Sequence, residues 1–142
     1  MNQIRPIVIC VFHKNGRILV FEGYDPSKEQ TYYRPLGGGI EFGESGEVAV
    51  RREIKEELHS EITELKHLGF LENIFVYNGM PHHEIVMVYD GLLREAGLYD
   101  QAEIKVVEAN GEVVRAMWKS LDEFRDGKSI LYPDGLLEVL IK

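Results

Sequence analysis

The chain has 142 residues, a single cysteine and a formal net charge of −8 at pH 7. This length is typical of one domain, and we expect residues 1–142 to form it. The lone Cys10 excludes an intramolecular disulfide. The acidic balance argues against binding of long nucleic acid, and no apolar run approaches the roughly 18 residues of a membrane span. Because the N-terminus lacks the apolar segment of a signal peptide, we expect a cytoplasmic protein.

Asn-Gly pairs predict three β-hairpins along the chain. They are Asn15-Gly16, Asn78-Gly79 and Asn110-Gly111. The segments 6–13, 17–21 and 84–89 are apolar at successive positions, which is typical of strands buried on both faces. Such strands require helices on both sides of the sheet. The sequence therefore predicts an α/β fold, an α/β/α sandwich with a central mixed sheet.

A glycine-rich loop follows the second of these strands. Residues 37–43 contain four glycines and come shortly after Pro35. Glycine loses more backbone freedom on ordering than any other residue, so such a loop is costly to fix. A close approach of the backbone to a ligand would explain it.

The next segment, residues 45–58, predicts a helix that carries three carboxylates on one face. Glu53, Glu56 and Glu57 lie at offsets 0, +3 and +4, which places them within an arc of about 100°. Like charges at this spacing destabilise a helix by a few tenths of a kcal/mol per pair. A bound divalent cation would reverse the sign of that interaction.

A solvated charged face is the alternative interpretation of this helix. Partial compensation comes from Arg51, Arg52 and Lys55. The core-facing side is predicted by an apolar stripe of Val50, Ile54 and Leu58. The carboxylates lie beside this stripe, on the part of the helix that is predicted to face away from the core.

Two short helices are predicted near the C-terminus. Ser120 begins a capping box for the first. Pro133 opens the second, and its predicted packing residues are Leu136, Leu137, Leu140 and Ile141.

The loop and the carboxylate helix together resemble the Nudix box of the MutT-like Nudix hydrolases, here residues 38–60. The box reads Gly, five residues, Glu, seven residues, Arg-Glu-aliphatic-x-Glu-Glu-x-Gly-aliphatic. Seven of its nine specified positions match, namely Gly38, Glu44, Arg52, Glu53, Ile54, Glu56 and Glu57. The departures are His59 for the Gly that ends the helix in a left-handed conformation, and Ser60 for an aliphatic residue. They predict an altered helix exit with the site retained.

The resemblance implies a Nudix fold and a Mg²⁺-dependent pyrophosphohydrolase, with Mn²⁺ as a substitute cation. Its substrate would be a small nucleotide-type molecule with a diphosphate linkage, either a nucleoside diphosphate derivative, a nucleoside triphosphate or a dinucleoside polyphosphate. It implies metal binding by Glu53, Glu56 and Glu57 together with the backbone at Gly37 or Gly38. The resemblance is compatible with either a monomer or a homodimer.

The catalytic residues implied by the resemblance are Glu53, Arg52 and Glu44. Glu53 would either bind a further metal or accept a proton from the attacking water. Arg52 would orient a neighbouring carboxylate through its planar guanidinium. Glu44 would bind metal indirectly or brace the loop.

Substrate-binding candidates outside the box come from strands. Arg34, just before the loop, could contact a phosphate, with a surface arginine as the alternative. Phe75 and Tyr77 alternate on one strand and could stack on a base, with core packing as the alternative. His83 and its neighbour His82 could contact substrate or metal.

A distal carboxylate often completes Nudix sites. Glu103, Glu108 and Glu112 are the candidates for it here, and Glu103 is included among the predicted substrate-binding residues. A Nudix-fold sensor that binds a nucleotide without cleaving it is the second functional hypothesis. Retention of every box carboxylate favours the enzyme.

The position of Tyr77 is similar to that of a tyrosine in members that act on dinucleoside polyphosphates. Members that act on ADP-ribose often carry a proline shortly after the box, whereas the first one here is Pro81. Oxidised nucleoside triphosphates stay equally open as substrates.

Overall fold

The computed structural model describes residues 2–108 and 110–141. Its strands are β1 Ile4–Val11, β2 His13–Lys14, β3 Arg17–Asp25, β4 Gln30–Arg34, β5 Leu36–Gly39, β6 Ile62–Tyr77, β7 Met80–Leu93, β8 Glu103–Val107 and β9 Val113–Ser120. Its helices are α1 Gly46–Leu58, α2 Leu121–Arg125 and α3 Leu136–Leu140, with a 3₁₀ helix at Ala96–Asp100.

The strands form two sheets. One is mixed, with the order β5-β1-β7-β6, in which β1 and β7 run parallel and the other pairs antiparallel. The other is antiparallel, with the order β2-β3-β9-β8, and β4 pairs with β3. The predicted α/β class and mixed sheet are confirmed. The second sheet adds to that prediction, because apolar strand segments alone do not show which sheet they join.

Helices cover both faces of the mixed sheet, as the apolar strands predict. Along β1, Val8 and Cys10 pack in one core cluster with residues of α1, such as Ile54. The alternate residues pack in a second cluster with Phe124 of α2 and Leu136 of α3. This alternation is the two-residue period of a strand with both faces buried.

All three Asn-Gly pairs lie in hairpin connections, as predicted. In the first two, both residues are left-handed, with φ of 49° and 76° at Asn15-Gly16 and 51° and 77° at Asn78-Gly79. They connect β2 to β3 and β6 to β7. Gly111 lies between β8 and β9 with φ 87°. Positive φ at both central residues is what a two-residue hairpin turn of type I′ requires.

The predicted starts of α1 and α2 are confirmed by their caps. The Ser45 hydroxyl accepts a hydrogen bond from the Val48 N–H at 3.2 Å. The Ser120 hydroxyl accepts one from the Asp122 N–H at 3.2 Å. Both satisfy backbone donors that the first helical turn leaves free.

The start predicted for α3 is wrong. The helix begins at Leu136, not at Pro133, because residues 133–135 form a turn bound to β6. In that turn the Asp134 N–H donates to Asn73 Oδ1 at 2.8 Å, and the Asn73 side chain donates back to the Asp134 carbonyl at 3.1 Å. Ile141 is also exposed and lies after the helix, so it is not a packing residue.

Within the described ranges, no helix is long and apolar enough to cross a membrane.

Candidate active site

Arg52 joins the glycine-rich loop to α1. Its Nε and Nη2 donate to the two oxygens of Glu44 at 2.7 and 2.8 Å. Nη2 also donates to the Gly39 carbonyl at 3.0 Å, and Nη1 donates to Glu53 Oε1 at 2.9 Å. A planar guanidinium can make all these bonds at once, which a lysine could not.

Glu44 fixes the loop ahead of the helix. Its Oε1 accepts the Glu41 N–H at 2.9 Å in addition to the Arg52 bonds. The hydrogen bonds from Arg52 and from the Glu41 backbone lower the pKa of Glu44 to about 2. The carboxylate is therefore ionised and held by the protein itself, which fits the predicted bracing role.

Gly38 provides the space that Glu53 occupies. A Cβ at this position would overlap the Glu53 carboxyl group. At Gly37, φ is 156° and a Cβ would overlap the Val8 carbonyl of β1. The paired glycines thus allow β5 to hydrogen-bond with β1 while the helix carboxylate lies directly over the strand.

Glu57 is the least compensated carboxylate of the helix. It is 8% exposed, so it does not face away from the core as predicted. Among the described residues, its buried Oε1 has no hydrogen-bond partner. Burial, followed by the charges of Glu53 and Glu108, raises the pKa of Glu57 to about 9, although the Gly37 N–H partly offsets this. A buried polar atom without a partner is rare in folded proteins and indicates a missing ligand or a functional role.

Glu108 completes the acidic cluster, which we define as Glu53, Glu56, Glu57 and Glu108. It follows β8, and its charge acts on both Glu53 and Glu57. Burial and the neighbouring Glu112 raise its own pKa. Burial is also the main cause of the raised pKa of Glu53.

Glu103 lies outside this cluster, contrary to its place among the predicted site residues. It begins β8, at the opposite end from Glu108, and it pairs with Arg115 at 3.0 Å. Since the strand is extended, five residues separate the two carboxylates by roughly 16 Å along the chain.

The acidic cluster fits a divalent cation in its donor chemistry. Hard cations such as Mg²⁺ prefer carboxylate and carbonyl oxygens. Glu57 Oε1 is a buried oxygen to which no described residue donates a hydrogen bond. In the described ranges no three His, Cys, Asp or Glu side chains stand as a preformed metal-binding group. One reason is that Arg52 holds Glu53 and lies 3.5 Å from the exposed Glu56 carboxylate.

The helix exit keeps the geometry of a glycine despite His59. This residue adopts the left-handed conformation, with φ 56° and ψ 36°, and its N–H donates to the Lys55 carbonyl at 2.9 Å. The predicted alteration of the exit is therefore wrong. Ser60 is buried, and its hydroxyl donates to the Glu61 carbonyl and accepts from the Glu95 N–H.

Comparison with known proteins decides the family. The family model described as NUDIX domain matches residues 1–135. The chain belongs to the Nudix family. This confirms the resemblance carried by the box.

The curated relatives include the NAD-capped RNA hydrolase NudC of Mycobacterium tuberculosis and of Mycobacterium bovis. The M. tuberculosis protein is 30% identical over 129 residues, which is 85% of this chain and 39% of the relative. The chain thus spans about two fifths of the length of these relatives.

Solved Nudix structures share the fold. A MutT Nudix hydrolase from Burkholderia pseudomallei is 26% identical with a TM-score of 0.61, covering 85% of this chain and 86% of its own. A Nudix hydrolase from Nitrosomonas europaea is 19% identical with a TM-score of 0.65, covering 97% of this chain and 86% of its own. A protein titled ADP compounds hydrolase is 19% identical with a TM-score of 0.60, and the match covers 89% of this chain and 63% of its own.

A pocket of about 200 Å³ lies between the two sheets of this Nudix domain, on the face of the mixed sheet opposite α1. Three predicted substrate-binding residues line it, namely Arg34, Phe75 and Tyr77. His82 lines it as well, whereas His83 pairs with Glu72 at 3.1 Å. Successive strand residues face opposite sides, so only one of the two histidines reaches the pocket.

Two arginines and one carboxylate form the end of the pocket nearest the box. Arg34 Nη2 donates to Glu84 Oε1 at 3.0 Å, and Arg5 Nη1 lies 3.9 Å from Glu84 Oε2. Glu84 is buried, whereas the Arg5 side chain is 57% exposed. A Cβ built on Gly39 would lie 3.7 Å from Arg5 Nη2. This cationic end therefore adjoins the loop that also contacts Arg52.

Aromatic rings form the other end. Tyr32 makes an edge contact with Tyr77 and a tilted contact with Tyr132, with centroid distances of 6.2 and 5.4 Å. Phe75 and His82 stack in parallel at 5.2 Å.

The sequence prediction missed Arg5, Tyr32, Glu84 and Tyr132 among the pocket residues. The sequence does contain a pattern that indicates Tyr32. It lies two residues before Arg34 on the same strand, so both side chains face the same side of the sheet.

Proposed function

We propose that this protein is a metal-dependent pyrophosphohydrolase that cleaves the diphosphate linkage of a nucleoside diphosphate derivative. The observation that carries the proposal is Glu57, a buried carboxylate set beside Glu53 and Glu108, with one oxygen that has no partner among the described residues. Burial of this carboxylate costs the protein free energy of folding when no cation is bound, and a bound cation would offset that cost. Membership of the Nudix family supports the same chemistry.

Glu57 and Glu56 would hold Mg²⁺ or Mn²⁺ together with the backbone at Gly37 or Gly38, which leaves Glu53 free to act as the base. The cation, when bound, lowers the pKa of water and neutralises charge on the phosphates. Because the chain itself carries a net charge of −8, a local cation is needed to bind a polyphosphate next to clustered carboxylates.

Glu53 would accept the proton of the attacking water. Burial raises its pKa, so it accepts a proton more readily near neutral pH than an exposed carboxylate does. The bond from Arg52 Nη1, at 2.9 Å, fixes the orientation of the group. Arg52 and Glu44 therefore position the base and the loop, since their charges are already paired with each other.

The pocket would bind the nucleoside half of the substrate. Stacking on the aromatic end and contact of a phosphate with Arg34 and Arg5 at the other end would direct the diphosphate towards Gly39. Gly39 belongs to the edge strand β5, around which the diphosphate would reach the acidic cluster on the α1 side of the mixed sheet. The relatives described as NAD-capped RNA hydrolase and ADP compounds hydrolase support a substrate with a nucleotide half.

A panel of substrates tests the proposal. It contains ADP-ribose, NADH, a dinucleoside polyphosphate and an oxidised nucleoside triphosphate, each with Mg²⁺, with Mn²⁺ and with EDTA. We expect at least one of them to release a nucleoside monophosphate or phosphate when Mg²⁺ or Mn²⁺ is present, and none to do so in EDTA.

Two glutamine variants make the test specific. Glu57→Gln should lower kcat at least a hundredfold, by analogy with loss of a group that stabilises transition-state charge. Glu61→Gln is the matched control, because Glu61 pairs with Lys55 on the exposed surface. Wild-type turnover in Glu57→Gln would overturn the metal assignment. Tight binding of one compound without cleavage of any would favour the sensor.

A further inference from the structure

The outer end of the pocket is closed by contacts between two turns from different sheets. One turn joins β3 to β4, and the other is the tip of the β6–β7 hairpin. Asp25, the last residue of β3, lines the pocket together with Tyr77 and Lys28. It is only 3% exposed, which is unusual for an aspartate.

Asp25 hydrogen-bonds to both turns. Its Oδ1 accepts the Ser27 N–H at 3.0 Å and the Lys28 N–H at 3.4 Å within its own turn. The same oxygen accepts the Asn78 N–H of the hairpin tip at 3.1 Å. A backbone N–H bonded to a buried carboxylate makes a stronger contact than one between neutral groups.

A second bond joins the same two turns next to the aromatic end of the pocket. The Tyr77 hydroxyl donates to the Tyr24 carbonyl at 3.1 Å. Tyr77 directly precedes Asn78, and Tyr24 directly precedes Asp25. Fixing Asn78 therefore also fixes Tyr77, whose ring meets the Tyr32 ring across the pocket.

We propose that Asp25 is a positioning residue that holds the Tyr77 and Tyr32 wall in place for the nucleoside half of the substrate. The inference rests on the proposed function. The Asp25 carboxylate lies at the nucleoside end of the pocket, away from the acidic cluster. Its loss should therefore weaken substrate binding and leave the rate of the chemical step unchanged.

Asp126 is a matched control within the same chain. Its Oδ1 accepts the Lys128 N–H at 3.1 Å, and Lys128 Nζ lies 3.8 Å from Oδ2, much as Lys28 Nζ lies 3.9 Å from Asp25 Oδ2. Asp126 directly follows α2 as its C-cap and is exposed. It has the local turn of Asp25 without the contact to the hairpin.

Steady-state kinetics of Asp25→Ala, Asp25→Asn and Asp126→Ala test the proposal with the fastest-cleaved member of the substrate panel. Loss of the bond to Asn78 should raise KM in Asp25→Ala roughly five- to tenfold and leave kcat within about twofold. Asp25→Asn keeps an Oδ1 acceptor and should restore KM. Asp126→Ala should match the wild type.

Hydrogen exchange of the Asn78 amide gives a readout that needs no activity. In the free protein, well below its melting temperature, this amide should lose protection in Asp25→Ala and keep it in Asp25→Asn. An unchanged KM in a folded Asp25→Ala protein that cleaves the substrate would overturn the positioning role alone. Failure of the wild type to cleave any compound would overturn the proposed function instead.

Discussion

At the scale of single residues, Glu57 shows how a functional group can oppose stability. Its carboxylate lies on the same helix as the core residues Ile54 and Leu58, so the packing that fixes α1 also removes Glu57 from water. Burial in this place disfavours the charged form. The Gly37 N–H compensates only in part. Within the described part of the chain, Oε1 has no hydrogen-bond partner.

Glu57→Gln should therefore stabilise the protein in EDTA, increasingly so as pH rises. The folded-state pKa of Glu57 is raised from 4.5 to about 9. Between these values the unfolded chain releases a proton that the folded chain retains, so the wild type loses stability as pH rises through this window. The neutral variant lacks this loss and should be more stable at pH 9 by about 1–3 kcal/mol.

Denaturant unfolding of both proteins between pH 4.5 and pH 9 measures this difference. The free energies of unfolding should agree at the acid end and diverge above it, while Glu61→Gln follows the wild type throughout. Parallel curves for wild type and Glu57→Gln would show that burial does not perturb this carboxylate.

At the scale of elements, α1 is defined by its two ends. Ser45 caps the first turn, and His59 ends the helix in a conformation that favours glycine. The left-handed conformation is strained for a residue with a Cβ. The fold accepts this strain at an exposed position, one residue before the buried Ser60.

His59→Gly should relieve the strain and raise the free energy of unfolding by about 0.5–1 kcal/mol, net of the greater freedom of glycine in the unfolded chain. For a chain of this size the melting temperature should rise by about 2–4 °C. Thermal unfolding measures it. Lys55→Gly, inside the same helix, is the control and should lower stability by about 1 kcal/mol. A destabilised His59→Gly protein would mean that the imidazole makes a contact worth more than the strain.

The sequence predicts the part of the site whose residues are close together in the chain. It does not predict the part that long-range contacts assemble. The helix, its carboxylates and the loop with Gly38 lie within one segment, so a single register places them. The pocket is assembled from β1, β3, β4, β6, β7 and the turn after Tyr132. Its members are separated by up to about 130 positions, and no local pattern reports which strands meet. No local pattern predicts the turn at Pro133 either, because its hydrogen-bond partner is the distant Asn73.

At the scale of the whole molecule, the acidic cluster lies where the two sheets meet. α1 packs on the mixed sheet and carries Glu53 and Glu57, whereas Glu108 comes from the end of β8 in the antiparallel sheet. Residues of β8 and β9 share one core cluster with α1, which holds this junction together. The position of Glu108 relative to the helix is therefore a property of the packing of both sheets.

Glu108→Gln should weaken Mg²⁺ binding and lower turnover by roughly tenfold or more, because the cluster loses a charge that acts on both Glu53 and Glu57. Mg²⁺ binds the folded state, so the rise in melting temperature with Mg²⁺ reports affinity independently of activity. Glu103→Gln is the control, because Glu103 begins β8 at the far end from Glu108 and pairs with exposed Arg115. It should keep both the melting-temperature shift and the turnover. If Glu103→Gln lost them while Glu108→Gln kept them, the distal carboxylate would be Glu103 and the two sheets would have to pack differently.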